Sequence, residues 1–256
     1  MKKTYKILLT NDDGIFSLGL EKLYYEMKKI GKVLVIAPNS ERSGTSHCVT
    51  VSEYVCVEKY FKNGEFFGYA VSGTPVDCVK IGIMELMPKN PDLVVSGINI
   101  GENTGLNILY SGTVSAAAEG TILGVPSIAI SLGNGKKGDF KFAAKIARKI
   151  ALKVLMYGLP KGTFLNVNIP PVLNGDVKGI SITRQGDEKL MEYYVKKKEN
   201  LHRKYYKLVG KKNKINNKLK TDESAVNRME ISITPICYNM TDYNMIEKLK
   251  KWDISI

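Results

Sequence analysis

The chain has 256 residues, 38 of them Lys or Arg and 25 Asp or Glu, giving a formal net charge of +13 with 44% hydrophobic and 25% charged residues. That balance excludes a disordered or collagen-like chain, and a chain of this length holds a core without cross-links. Cys48, Cys56, Cys78 and Cys237 show no CxxC spacing and the only histidines are His47 and His202, which excludes a zinc knuckle, a dithiol motif and a histidine-rich metal site.

The opening MKKTYKILLTNDDG places two aspartates too early for a secretory apolar core. No apolar run approaches the roughly 18 residues of a membrane span, so a soluble cytoplasmic protein with no membrane partner is expected. Lys6 to Thr10 reads as a buried strand, and Leu20, Leu23, Met27 and Ile30 at helical spacing predict a helix that stops at Gly31. Val33 to Ala37 predicts a second strand closed by Pro38, followed by a polar loop through Ser46. Asn63-Gly64 predicts a hairpin turn. Thr74-Pro75-Val76-Asp77 combines a cap, a first-turn proline and an acid three residues on, opening a helix to about Met87.

Leu93 to Ser96 predicts a strand, then come a Gly/Asn-rich loop over 97–105, a small-residue helix after Ser111, the strand Ser127 to Ser131, and an amphipathic helix within Phe140 to Tyr157. Beyond Gly158 follow strands at Phe164 to Ile169, Ile180 to Thr183 and Ile231 to Pro235, and a helix near Thr241 to Trp252. Short apolar runs alternating with helices predict an α/β fold, a Rossmann-like and mostly parallel sheet with helices on both faces. Residues 1–160 are expected to form its Rossmann-like core, and residues 161–256 a C-terminal β-rich extension, a basic projecting arm over about 184–222 and a terminal helix.

The charge is concentrated. Arg184 to Lys220 holds thirteen Lys or Arg against four Asp or Glu, with Tyr193, Tyr194, Tyr205 and Tyr206 among them. A solvated projecting arm is the expectation, with or without a role in subunit contact. No nucleic-acid-binding motif accompanies it, so a nucleic-acid partner is not expected.

Ligands of an open parallel sheet bind outside the carboxyl ends of its strands. Those ends carry Asn11, Asp12, Asp13 and Gly14, then Arg42, Ser43, Gly44 and Thr45, then Gly97, Ile98, Asn99 and Ile100. Adjacent carboxylates repel, and a divalent cation with hard oxygen ligands relieves them. Asp12, Asp13, the Ser43 hydroxyl and the Asn99 amide oxygen form a candidate set for Mg²⁺ or Mn²⁺. The bland alternative for Asn-Asp-Asp-Gly is a turn before a helix.

Ser111, Gly112 and Thr113 begin a helix whose N–H groups suit a phosphate, and Asn103 adds an amide donor; an ordinary serine cap is the alternative. A dication beside such a helix end points to phosphate-ester hydrolysis, with Asp12 or Asp13 able to accept a proton. No GxxxxGK[ST] or GxGxxG is present, which disfavours NTPase and dinucleotide chemistry. A receiver-type signalling domain also pairs acids after its first strand but needs an aspartate after its third, where this chain has Ser96-Gly97-Ile98-Asn99.

The blocks ILLTNDDGIFSLGL, ERSGTSH, SGINIGENTG, YSGTVSAAAEG and GVPSIAIS, with TRQGDEKLMEYYV and ISITPICYNMTD further on, resemble the SurE (survival protein E) family of metal-dependent nucleotidases. The resemblance implies hydrolysis of nucleoside 5′- and 3′-monophosphates, some activity on short polyphosphate, one Mg²⁺ or Mn²⁺ per subunit, and a homodimer or tetramer built by exchange of the projecting arm. It also implies metal ligation by Asp12, Asp13, Ser43 and Asn99, and phosphate contacts from Asn103, Ser111, Gly112 and Thr113. Two departures stand out: the Lys/Asn-rich run from Lys211 to Lys220, and Met229 where the family has glycine. His47 reads either as a loop-stabilising residue or as a proton donor or substrate contact, and His202 as an exposed or subunit-contact residue of the arm.

Overall fold

The computed structural model describes residues 4–133, 139–172, 176–187, 191–200, 202–211 and 216–254. Within the basic run, Lys212, Asn213, Lys214 and Ile215 therefore lie outside the described residues. Eleven strands and six α-helices are present among those described: β1 (Tyr5–Thr10), α1 (Leu18–Met27), β2 (Gly31–Pro38), β3 (Val57–Lys62), β4 (Glu65–Val71), α2 (Pro75–Ile81), β5 (Leu93–Ile100), α3 (Gly112–Ile122), β6 (Ser127–Leu132), α4 (Phe140–Tyr157), β7 (Thr163–Ile169), β8 (Ile180–Ile182), β9 (Met191–Glu199), β10 (Lys204–Lys211), α5 (Asp222–Asn227), β11 (Ile231–Cys237) and α6 (Tyr243–Leu249).

Nine strands form one sheet in the order β3-β4-β2-β1-β5-β6-β7-β11-β8. The run from β4 to β7 is parallel throughout, with β3 and β11 paired antiparallel to their neighbours β4 and β7. Side chains alternate across the sheet with a period of two, and β1 displays this directly. Ile7 and Leu9 face α1 and α4, while Leu8 packs with Val79 of α2 and Ala116 of α3. Helices thus cover both faces, and each fully buried aliphatic side chain contributes about 1.5–3 kcal/mol.

The chain proceeds from β1 to β2 on one side and returns to β5 on the other, so the strand order reverses between β1 and β5. A crevice opens at such a reversal, and its rim is made by the residues following those two strands.

Helix α4 spans Phe140–Tyr157, with Asp139 capping it and Ala143, Ala147, Ile150, Ala151 and Val154 on its buried stripe. Thr74 and Asp77 form the reciprocal capping box at the start of α2. Asn63 and Gly64, both at positive φ, make the β3–β4 hairpin.

Three boundaries differ from the sequence expectation. Helix α1 stops at Met27, and Gly31 opens β2, where a Cβ would lie 2.5 Å from the Tyr5 carbonyl oxygen. Helix α2 ends at Ile81 and passes into a π-helical turn over Gly82–Leu86. Strand β5 continues through Gly97 to Ile100, carrying Asn99 into the sheet with a register shift between Ser96 and Asn99.

Strands β9 and β10 form a separate antiparallel hairpin, and His202 is exposed in its turn. The root of this arm is closed: the Arg184 N–H donates to the Lys220 carbonyl and the Asp222 N–H to the Arg184 carbonyl, at 3.1 and 3.0 Å.

Met229 adopts φ 64°, in the left-handed region, as α5 turns into β11. A side chain there is disfavoured by roughly 1–2 kcal/mol, partly offset by the lower unfolded-state entropy of a non-glycine residue. Met229→Gly is therefore expected to stabilise the protein by about 0.5–1 kcal/mol, read from the midpoint of urea unfolding. An unchanged or lower midpoint would contradict this.

Candidate active site

The first rim loop is set by Asn11, whose amide nitrogen donates to the Gly14 carbonyl at 3.0 Å and to Ser17 Oγ at 2.7 Å. Ser17 in turn caps α1. This fixes the turn and leaves Asp12 buried and Asp13 half-buried.

Asp12 touches the start of α3. The Thr113 hydroxyl donates to Asp12 Oδ1 in a short hydrogen bond. A Cβ placed on Gly112 would lie 3.0 Å from Asp12 Cβ and 3.2 Å from Oδ2, so glycine permits the helix end to press against the carboxylate. Ser111 Oγ accepts from the Val114 N–H at 3.1 Å. The serine thus does act as the helix cap, and its hydroxyl proton remains available to an anion.

Burial raises the Asp12 carboxyl above its ordinary value, opposed by the hydrogen bonds of Thr113 and assisted by the charge of Glu41. Asp13 is pushed up to about 6 by burial and then by the charges of Asp12 and Glu41, although the Ile100 backbone N–H works against them. Its Oδ2 is buried with no hydrogen-bond partner among the described residues, as is Asn11 Oδ1. The pair is therefore held together at an electrostatic cost and retains an acceptor that nothing among the described residues satisfies.

In the protein without a bound cation, an acid raised in the folded state makes stability fall as pH rises from its unfolded value, near 4, to its folded value. Asp13→Asn removes that dependence. The variant should gain about 1 kcal/mol on the wild type between pH 5 and pH 7 in the presence of a chelator, measured by urea unfolding; a gap independent of pH would contradict it.

The second rim loop reaches the pair through its backbone, the Arg42 N–H donating to the Asp12 carbonyl at 2.7 Å. The Ser43 hydroxyl is exposed and donates to Glu41 Oε1 at 2.7 Å. From β5, the Asn99 amide nitrogen donates to the carbonyls of Ile100 and Gly101, at 3.2 and 2.8 Å, which leaves its amide oxygen as the ligand atom. No group of three or more His, Cys, Asp or Glu is placed to hold a metal among the described residues. A cation here would rest on two carboxylates with neutral oxygens, the donor set that suits Mg²⁺ or Mn²⁺.

Asn103 is clamped on every side. Its N–H donates to Asn168 Oδ1 at 2.8 Å, its carbonyl accepts from Asn166 and Asn168 at 2.8 and 3.0 Å, and its side-chain amide donates to Ser131 Oγ at 2.9 Å. Only the second N–H of that amide is left for a phosphate. Asn166 and Asn168, fully buried at alternate positions of β7, support the candidate site and were absent from the sequence expectation, their one signal being an Asn-Val-Asn strand; Glu41, which accepts from Ser43 and adds charge beside the aspartates, was absent too.

His47 lies on the other flank of α3. Its Nε2 meets Glu119 Oε2 at 2.8 Å, and Lys80 donates to Glu119 Oε1 at 2.9 Å. Burial pushes the Glu119 carboxyl up, but the hydrogen bonds and charges of His47 and Lys80 outweigh it and hold it below the usual carboxylate range. The neighbouring Ser46 is pinned to the turn before α3, its Oγ donating to the Leu109 carbonyl at 2.6 Å and its N–H to the Tyr110 carbonyl at 3.1 Å.

Residues 7–192 match the family model for survival protein SurE. The chain is 49% identical over 246 residues to 5′-nucleotidase SurE of Syntrophus aciditrophicus (strain SB), covering 96% of this chain and 92% of that protein. Against 5′-nucleotidase SurE of Chlorobaculum tepidum it is 46% identical over 248 residues, covering 97% and 94%. The crystal structure of the SurE protein from Aquifex aeolicus superposes with a TM-score of 0.83 at 39% identity, covering 96% of this chain and 98% of that one.

Proposed function

This chain belongs to the SurE family, and from that footing we propose that it is a phosphomonoesterase that converts nucleoside 5′- and 3′-monophosphates to nucleoside and phosphate. One divalent cation per subunit, Mg²⁺ or Mn²⁺, and activity on short polyphosphate are parts of this proposal. So are a cytoplasmic setting, a catalytic unit over 1–160, and a homodimer or tetramer assembled through the arm and terminal helix of 161–256. The exposed tyrosines Tyr193, Tyr194, Tyr205 and Tyr206 on the β9–β10 hairpin favour such a contact.

The observation that carries the reading is the contact of Asp12 with Gly112 and Thr113. It makes the carboxylate pair and the helix start two walls of one site. The unsatisfied Asp13 oxygen and the mutual repulsion of the pair fit a cation. Asp12, Asp13, Ser43 and Asn99 would hold it. A bound dication would withdraw charge from a phosphoryl oxygen and make a nearby water more acidic.

The chain's own groups supply the rest. The Gly112 and Thr113 N–H groups, at the positive end of α3, receive the phosphoryl oxygens and stabilise the charge that builds on them. The Ser111 hydroxyl can donate to the same group, and the remaining Asn103 amide N–H is a further donor for it. Asp12 is occupied by Thr113, so Asp13 is the carboxylate free to take a proton from attacking water.

The test is phosphate release from a panel of nucleoside monophosphates with Mg²⁺ or Mn²⁺ and a chelator control. Release that the chelator abolishes is expected; absence of release from every nucleotide would overturn the reading.

A further inference from the structure

The Ser43 hydroxyl sits on a turn with little packing of its own. Ser43 and Gly44 are exposed, and a Cβ built on Gly44 would meet nothing within 4 Å. The turn is held at its two ends instead. On one side the Arg42 N–H donates to the Asp12 carbonyl at 2.7 Å, and the Arg42 carbonyl accepts from Thr45 Oγ1 at 2.9 Å. On the other, Ser46 Oγ donates to the Leu109 carbonyl at 2.6 Å and the Ser46 N–H to the Tyr110 carbonyl at 3.1 Å. The first anchor is thus the backbone of the carboxylate pair, and the second runs directly into Ser111, the cap of α3.

Ser46 is the costlier anchor. Its φ of 53° lies in the left-handed region, uncommon for a residue with a side chain. Such a conformation persists where surrounding contacts over-determine it, and here those contacts are the two bonds to Leu109 and Tyr110. The acceptors are themselves held, since the Tyr110 N–H donates to the Asn107 carbonyl at 3.1 Å. Ser43 gives its proton to Glu41 Oε1 and so keeps its oxygen lone pairs for a cation.

We propose that Ser46 is a positioning residue that ties the Ser43 turn to the start of α3, fixes the Ser43 hydroxyl relative to Asp12 and Asp13, and thereby sets the affinity for the cation. Ser46 acts through Ser43. A ligand on an untethered turn has to be ordered when the cation binds, and that ordering subtracts from affinity. The inference rests on the cation site of the phosphomonoesterase reading and extends it from the ligands to the contact that holds one of them in place.

Mn²⁺ binding without substrate, followed by loss of the electron paramagnetic resonance signal of the free ion, gives a Kd independent of turnover. Ser46→Gly removes the hydroxyl and relieves the left-handed backbone, so the variant should fold; Ser46→Ala removes the hydroxyl alone. Each should raise the Kd for Mn²⁺ about tenfold, and Ser43→Ala should do the same. In the Ser43→Ala background, Ser46→Gly should change the Kd by less than about twofold, because the ligand it positions is already gone. In the unaltered protein without cation, the Ser46 amide should already exchange slowly with solvent deuterium, since the anchor precedes the cation.

An unchanged Kd in Ser46→Gly would overturn the inference, as would an equal loss in both backgrounds, which is the behaviour of a serine that only stabilises the fold. Fast exchange of the Ser46 amide until Mn²⁺ is added would overturn it too, and that measurement needs no variant. An unchanged Kd in Ser43→Ala would remove Ser43 from the ligands and the inference with it, while phosphate release from AMP by the unaltered protein would keep the phosphomonoesterase reading standing. Neither Mn²⁺ binding nor phosphate release by the unaltered protein would remove that reading itself.

Discussion

Asp12→Asn is expected to lower phosphate release from AMP by about 10²–10³-fold with little change in the fold. The side chain is isosteric, and the Asn amide oxygen still accepts from Thr113, so the contact between the first loop and α3 survives. What disappears is the negative charge at the strand end. That charge is kept at a cost, since burial and Glu41 both work against it. A carboxylate buried against its own preference marks a candidate functional charge, and under the function proposed above that charge would balance a cation beside a phosphoryl group. The measurement is initial rate at saturating Mg²⁺ or Mn²⁺, paired with a thermal unfolding curve. A variant that folds as the wild type and keeps full activity would remove the carboxylate pair from the chemistry.

Asp222→Ala should destabilise the protein by about 3–5 kcal/mol. Asp222 is fully buried at the start of α5, and its two oxygens accept from the N–H groups of Gly105, Gly186 and Glu223 at 3.0, 2.9 and 3.0 Å. Removing the carboxylate strands two buried donors, of Gly105 and Gly186, and the part-buried donor of Glu223, each unsatisfied buried group being worth about 1–3 kcal/mol. The Gln185 amide also donates to the Gly105 carbonyl at 3.0 Å, so both polar groups of Gly105 are bound by residues at the arm root. Gly105 lies two residues after Asn103, and the loss should therefore reach the cradle. Urea unfolding checks the stability term, and a rise in KM at temperatures where the variant remains folded checks the connection. A destabilisation below about 1 kcal/mol would show that water replaces the carboxylate.

The architecture was legible where one local rule governed. The short buried strand of Lys6 to Thr10, the helical stripe of Phe140 to Tyr157, the capping box at Thr74 and Asp77, and Asn63-Gly64 each appear as expected. The site was legible to the extent that strand ends define it, since Asp12, Ser43 and Asn99 follow or end three strands that diverge at one reversal of strand order. Strand β5 was misjudged because Gly97 inside a strand reads as the beginning of a loop. The clamp on Asn103, the Glu119 contacts of His47 and the reach of Asp222 to Gly105 had no such signal. Each joins residues separated by 28 or more positions, and only the folded chain brings them together.

The closed root of the basic arm has a consequence for how this protein changes over evolutionary time. The excursion between Gly186 and Lys220 leaves and rejoins the body at neighbouring points, because Arg184 pairs with Thr221. Lengthening such an excursion adds only the slowly growing entropy of a longer loop. Chain entropy therefore sets almost no limit on the length of the hairpin, and what holds its length and sequence in place is the subunit contact proposed for it.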